Sequence, residues 1–165
     1  MSLLEDVKIP VVSHGITFNE IPGKVALYFE IGQCKAGCKG CHSEHLWKDC
    51  HQETSIQTML DMVKDAKAEG ADAVVLMGGT TNGIPMDDLL LTINYLATLL
   101  PVGLYSGSNS IRQALELVNM SFLKWLKIGS YQKEKGGLDS PTTNQMFFEI
   151  QDDGSILDKT EEFRK

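Results

Sequence analysis

Val25-Ala-Leu-Tyr-Phe-Glu-Ile31 runs through Gly32-Gln33 into Cys34-Lys-Ala-Gly-Cys38-Lys-Gly-Cys41. The apolar, aromatic-rich half reads as a β-strand. The second half places three thiols within eight residues, spaced C-x₃-C-x₂-C. Iron–sulfur clusters are held by cysteine thiolates, and a four-iron cluster normally takes four of them. This loop supplies three, which leaves one iron open for a small ligand. Structural zinc wants a closed set of four ligands, usually as two separated pairs. The incomplete set therefore favours a cluster that does chemistry. Two other readings stay open: reduced cysteines without metal, and a zinc site completed from Cys50, His42, His45 or His51.

Around this stretch the chain alternates short apolar runs with helical patterns. Ser55 to Gly70 reads as a helix, with Ile56, Met59, Leu60, Val63 and Ala66 on one face. Thr54 or Ser55 caps its start, and Gly70 stands where a left-handed C-cap belongs. Ala73-Val-Val-Leu-Met77 is apolar throughout, as suits a parallel strand buried on both faces. Asp87 to Leu100 reads as a second helix ended by Pro101, and Val102 to Tyr105 as a strand. Ser110 to Asn119 is a third helix and Leu123 to Ile128 another strand. Met146 to Ile150 and Ser155 to Leu157 flank Asp152-Asp-Gly154, a hairpin turn.

The β–α alternation predicts an α/β fold with parallel pairing. At 165 residues the chain is short of the ~250 typical of a complete eight-stranded barrel. The expectation is a single domain, residues 1–165. Its fold is a partial (βα) barrel open along one side, a parallel sheet ending in a C-terminal β-hairpin. Ligands in such folds sit at the carboxyl ends of the strands. The cysteine loop, Gly78-Gly79, Tyr105-Ser-Gly107 and Gly129-Ser-Tyr131 all follow predicted strands, so all four should gather at one end.

Composition narrows the function further. A formal net charge of −7 argues against nucleic-acid binding, which usually needs a basic face. No apolar stretch approaches the roughly 20 residues that span a bilayer. Met1-Ser-Leu-Leu-Glu-Asp-Val7 is too acidic for a secretory signal. Four cysteines without an export signal point to metal or redox use in the cytoplasm, not to a disulfide framework.

The C-x₃-C-x₂-C spacing resembles that of the radical S-adenosylmethionine superfamily. The resemblance implies a [4Fe–4S] cluster on Cys34, Cys38 and Cys41, with S-adenosylmethionine chelating the fourth iron. It also implies that the Gly78-Gly79 turn contacts the amino group of S-adenosylmethionine, and that Gly40, Cys41 and His42 lie against its adenine. The family's turn usually continues with Glu-Pro, whereas Gly78-Gly-Thr-Thr-Asn-Gly83 stands here. The backbone role of the glycines survives that departure. Electron transfer to the sulfonium would release methionine and a 5′-deoxyadenosyl radical. Because the cofactors carry that step, no side chain is assigned as a catalytic acid, base or nucleophile.

A finer likeness rests on Gly15-Ile-Thr-Phe-Asn-Glu-Ile-Pro-Gly23, Cys41-His42-Ser43 with Trp47, Lys127-Ile-Gly-Ser-Tyr131 and Gly136-Gly-Leu-Asp-Ser-Pro-Thr-Thr-Asn-Gln145. Together these are similar to the activating proteins of anaerobic ribonucleoside-triphosphate reductases, which are glycyl-radical activating enzymes. The implied substrate is a backbone glycine of the large reductase subunit, with a flavodoxin or ferredoxin as electron donor. The connection from Gly129 to Gln145 is long for a compact domain; it either covers the site and meets the reductase or only packs on the surface. Cys50 reads as an ordinary thiol. Alternative readings are a radical enzyme acting on another protein or a small molecule, and a non-enzymatic zinc or iron–sulfur module.

Overall fold

A computed structural model describes residues 3–32, 53–78, 84–107, 110–129, 134–135, 140 and 143–163. The elements are α1 (Leu3–Asp6), β1 (Lys8–Ile9), β2 (Val11–Thr17), β3 (Ala26–Ile31), β4 (Thr54–Ser55), α2 (Ile56–Ala68), β5 (Ala73–Met77), α3 (Met86–Leu96), β6 (Val102–Tyr105), α4 (Ile111–Met120), β7 (Leu123–Ile128), β8 (Met146–Ile150) and β9 (Ile156–Asp158), closed by a 3₁₀ turn at Thr160–Phe163. Among the described residues no helix is long and apolar enough to cross a membrane.

Seven strands form the main sheet in the order β2-β3-β5-β6-β7-β8-β9. The central four, β3, β5, β6 and β7, run parallel, and β2, β8 and β9 are added antiparallel. Each helical crossover thus advances one strand, always in the same direction. Helices α2, α3 and α4 all contribute to one apolar cluster, with Leu27, Phe29, Ile31, Val74, Leu76, Leu104, Leu126 and Ile128 from the strands. The winding is therefore single: helices lie on one face, and the other face is left to a second cluster. That cluster holds Ala26, Ala73, Val75, Tyr105, Trp125 and Phe147, covered by Ile21 and Phe163. The molecule is α/β with a mostly parallel central sheet.

Local chemistry explains the boundaries. The Ser55 hydroxyl accepts from the Thr58 amide at 3.1 Å, capping α2. At the other end Gly70 has φ +113°, the left-handed turn that lets the Ala71 amide reach the Ala66 carbonyl at 3.0 Å. The C-terminal hairpin closes with Gln151 and Gly154 amides donating to Ser155 and Gln151 carbonyls, Gly154 taking φ +88°. Helix α3 stops at Leu96, four residues before the expected Leu100, because residues 97–100 curl into turns ahead of Pro101.

Strand β2 is not among the sequence expectations. Gly15 in its middle weakens any strand pattern; a Cβ there would lie 2.9 Å from the Tyr28 hydroxyl on β3. The Tyr28 ring occupies the space a side chain at position 15 would take.

Phe29 is fully buried at the centre of the helix-side cluster. Phe29→Ala is expected to cost about 3–5 kcal/mol, read as a lower denaturant midpoint. A change under about 1 kcal/mol would contradict this placement of the core.

Candidate functional site

Parallel register sets the site. Glu30, Met77, Tyr105 and Lys127 are successive partners across β3, β5, β6 and β7. The ladder continues one residue beyond the strands: the Gly78 amide donates to the Tyr105 carbonyl and the Ser106 amide to the Lys127 carbonyl, each at 2.8 Å. The carboxyl ends of four strands are thereby level. From this edge the chain leaves through Gly32, Gly78, Gly107 and Gly129, as the sequence leads one to expect.

Of the residues expected in the site, Gly78 is described. It is half-buried and has φ +109°, a conformation that side chains rarely adopt. Gly79, Gly40, His42 and the three cysteines Cys34, Cys38 and Cys41 lie outside the described residues, as do Cys50, His45, His51 and Trp47. The connection that carries the cysteines starts from the β3 edge at Gly32, whose amide donates to the Pro10 carbonyl at 2.7 Å. Among the described residues no group of three or more His, Cys, Asp or Glu is placed to hold a metal ion.

Gly129 repeats the backbone turn of Gly78, with φ +107°. A Cβ there would meet the Gln145 Cα at 3.0 Å and the Asn144 carbonyl oxygen at 3.1 Å. The Gln145 amide group donates to the Gly129 carbonyl at 3.2 Å and is buried. This ties the return of the Gly129–Gln145 connection against the end of β7. Gln145, quoted above only as part of a resembling stretch, thus has a packing role.

On the face away from the helices, Tyr105 is 4% exposed. Its ring meets Phe147 edge-on at 6.1 Å, and Phe147 meets Phe163 at 4.8 Å. Lys127 Nζ stands 4.5 Å from the Tyr105 ring centroid, a cation–π contact. Burial, and then the nearby Glu20 carboxylate, push the Tyr105 phenol well above its ordinary pKa. Beside it Gly103 leaves a notch that Ile21 fills, its Cδ1 standing 3.3 Å from where a Cβ would lie. Sequence reasoning reached Tyr105 only as the start of the Tyr105-Ser-Gly107 turn after a predicted strand, with no role for its side chain.

A 58-residue stretch is 33% identical to 7-carboxy-7-deazaguanine synthase of Prochlorococcus marinus. The match covers 34% of this chain and 26% of that protein, so the likeness spans about a quarter of the relative's length. No protein-family model and no solved structure matches the chain.

Two outcomes follow from this geometry. Gly129→Ala combines a strained φ with contact against backbone at 3.0 Å, so a loss of about 1–3 kcal/mol is expected in denaturant unfolding; an unchanged midpoint would contradict the tight junction with Gln145. For Tyr105 the fold favours the neutral phenol. Its contribution to stability is whole below the ordinary phenol pKa of about 10 and is lost as pH rises toward the higher folded value. In a phenolate absorbance titration, one of the four tyrosines should ionise last, together with alkaline unfolding, and Tyr105→Phe should remove that step. Four tyrosines titrating together in the native state would refute the burial.

Proposed function

We propose that this chain is a radical S-adenosylmethionine enzyme, and more narrowly the glycyl-radical activating enzyme of an anaerobic ribonucleoside-triphosphate reductase. The observation that carries the reading is the origin of the three-cysteine loop at the carboxyl edge of a singly wound parallel sheet. The likeness to 7-carboxy-7-deazaguanine synthase, itself a radical S-adenosylmethionine enzyme, supports the superfamily level. The finer assignment rests on the resembling stretches of sequence.

The donor set fits the cofactor. Cys34, Cys38 and Cys41 are thiolate ligands of the kind a [4Fe–4S] cluster takes, and three of them leave an iron for S-adenosylmethionine. When bound, the pair would supply reductive carbon–sulfur cleavage and, through it, hydrogen-atom abstraction from a substrate glycine. The chain's own residues bind, orient and exclude competing reactants. The Gly78-Gly79 turn offers backbone groups at close approach. Gly40, Cys41 and His42 would flank the adenine.

In this reading one domain, residues 1–165, forms a partial barrel of the radical S-adenosylmethionine type. The sheet order runs from β2 to β9 without closing among the described residues, which supports a laterally open fold. An open side would admit a protein substrate, here the glycine-bearing segment of the large reductase subunit. The electron would come from a flavodoxin or ferredoxin. A second reading, a radical enzyme acting on a small molecule, is favoured by the partial likeness to the deazaguanine synthase.

The test uses protein reconstituted anaerobically with iron and sulfide, reduced, and mixed with S-adenosylmethionine. Formation of 5′-deoxyadenosine, with a glycyl doublet on the co-encoded reductase by electron paramagnetic resonance, is the expected result. Cleavage without the doublet would favour the small-molecule reading. Colourless protein with tightly bound zinc and no cleavage would contradict both. Alanine at Cys34, Cys38 or Cys41 should abolish the broad visible absorption and the cleavage, whereas Cys50→Ala should keep both.

A further inference from the structure

The Tyr105 hydroxyl is buried and has no hydrogen-bond partner among the described residues. Phenylalanine would fill the same volume against Phe147 and Trp125 without stranding a polar group. A buried hydroxyl left unsatisfied is a liability to the folded state, so a position with a purely packing role is better served by the apolar ring. The residue nevertheless sits at the one edge of the sheet where the candidate site lies, as the last residue of β6. Its carbonyl is engaged by Gly78, and the following amide by Lys127. On its ring rests the Lys127 ammonium.

The phenol stays protonated under all ordinary conditions, because burial and the Glu20 carboxylate both oppose its ionisation. It therefore keeps a hydrogen to donate. A donor with a cation beside it matches an acceptor oxygen that carries full or partial negative charge. We propose that Tyr105 is a ligand-binding residue, donating its hydroxyl hydrogen to a carboxylate or carbonyl oxygen of a ligand bound at the carboxyl edge of the sheet. This rests on the reading above, which supplies two sources of such an oxygen: the amino-acid carboxylate of S-adenosylmethionine and a peptide carbonyl of the substrate glycine segment.

Tyr105→Phe separates this role from a structural one, because it removes an unpartnered group from the free protein and a partnered one from the complex. Unliganded Y105F should melt at the same temperature as the parent or about 2–4 °C higher. Its affinity for one ligand should fall about 2–10-fold, the worth of one hydrogen bond. The probes are S-adenosylmethionine and a synthetic peptide copying the radical-bearing glycine segment of the co-encoded reductase, titrated calorimetrically into anaerobically reconstituted protein. A loss for S-adenosylmethionine alone assigns the oxygen to its carboxylate, and a loss for the peptide alone assigns it to the substrate.

Unchanged affinities for both ligands, with the parent still binding S-adenosylmethionine, would overturn this inference and leave the proposed function standing. So would a melting temperature several degrees lower, since the hydroxyl would then serve the fold. A parent protein that binds neither ligand would overturn the inference and the functional reading together.

Discussion

The hydrogen bonds from Gly78 to the Tyr105 carbonyl and from Ser106 to the Lys127 carbonyl keep the ends of three parallel strands level. Each lies one residue past a strand, where a chain usually diverges. They hold because β5, β6 and β7 share one register from Val75, Gly103 and Trp125 onward, past a bulge at Lys124. Gly78 and Gly129, just past β5 and β7, both take positive φ. The glycines at this edge, Gly78 and Gly129, permit a ligand to approach the backbone closely.

Single winding makes the two faces chemically different. The helix-side cluster is built of large aliphatic and aromatic residues and contains most of the buried apolar surface. The opposite face combines small residues, Ala26, Ala73 and Gly103, with a group of aromatics at its carboxyl end. Burial of the first face supplies the main driving force for folding. The second carries Tyr105 and Lys127, groups that a core formed for stability alone does not require. That division supports reading the carboxyl end of this second face as the binding surface.

Strands β5, β6, β7 and β8 were legible to the residue, because continuous or alternating apolar runs bounded by Gly, Pro or polar turns have few other interpretations. The α2 caps were legible for the same local reason: Ser55 and Gly70 act on their own neighbours. Strand β2 was not, since Gly15 interrupts its pattern and its pairing with β3 carries a bulge between Val11 and Ser13. The cysteine spacing told of chemistry without telling of geometry. Gly40, His42 and the three cysteines Cys34, Cys38 and Cys41 lie outside the described residues. Tyr105 and Gln145 matter through partners far along the chain, or through the lack of one, and spacing records neither.

The central claim is that the cluster sits at the carboxyl edge of the parallel strands. Amide nuclear magnetic resonance of the anaerobically reconstituted protein tests it directly, because a paramagnetic cluster broadens nearby resonances. The account predicts that amides of Gly32, Gly78, Ser106 and Gly129 broaden strongly on reconstitution. Those at the opposite edge, Asp72, Val102 and Phe122, should stay sharp. Uniform broadening, or broadening confined to the opposite edge, would contradict it.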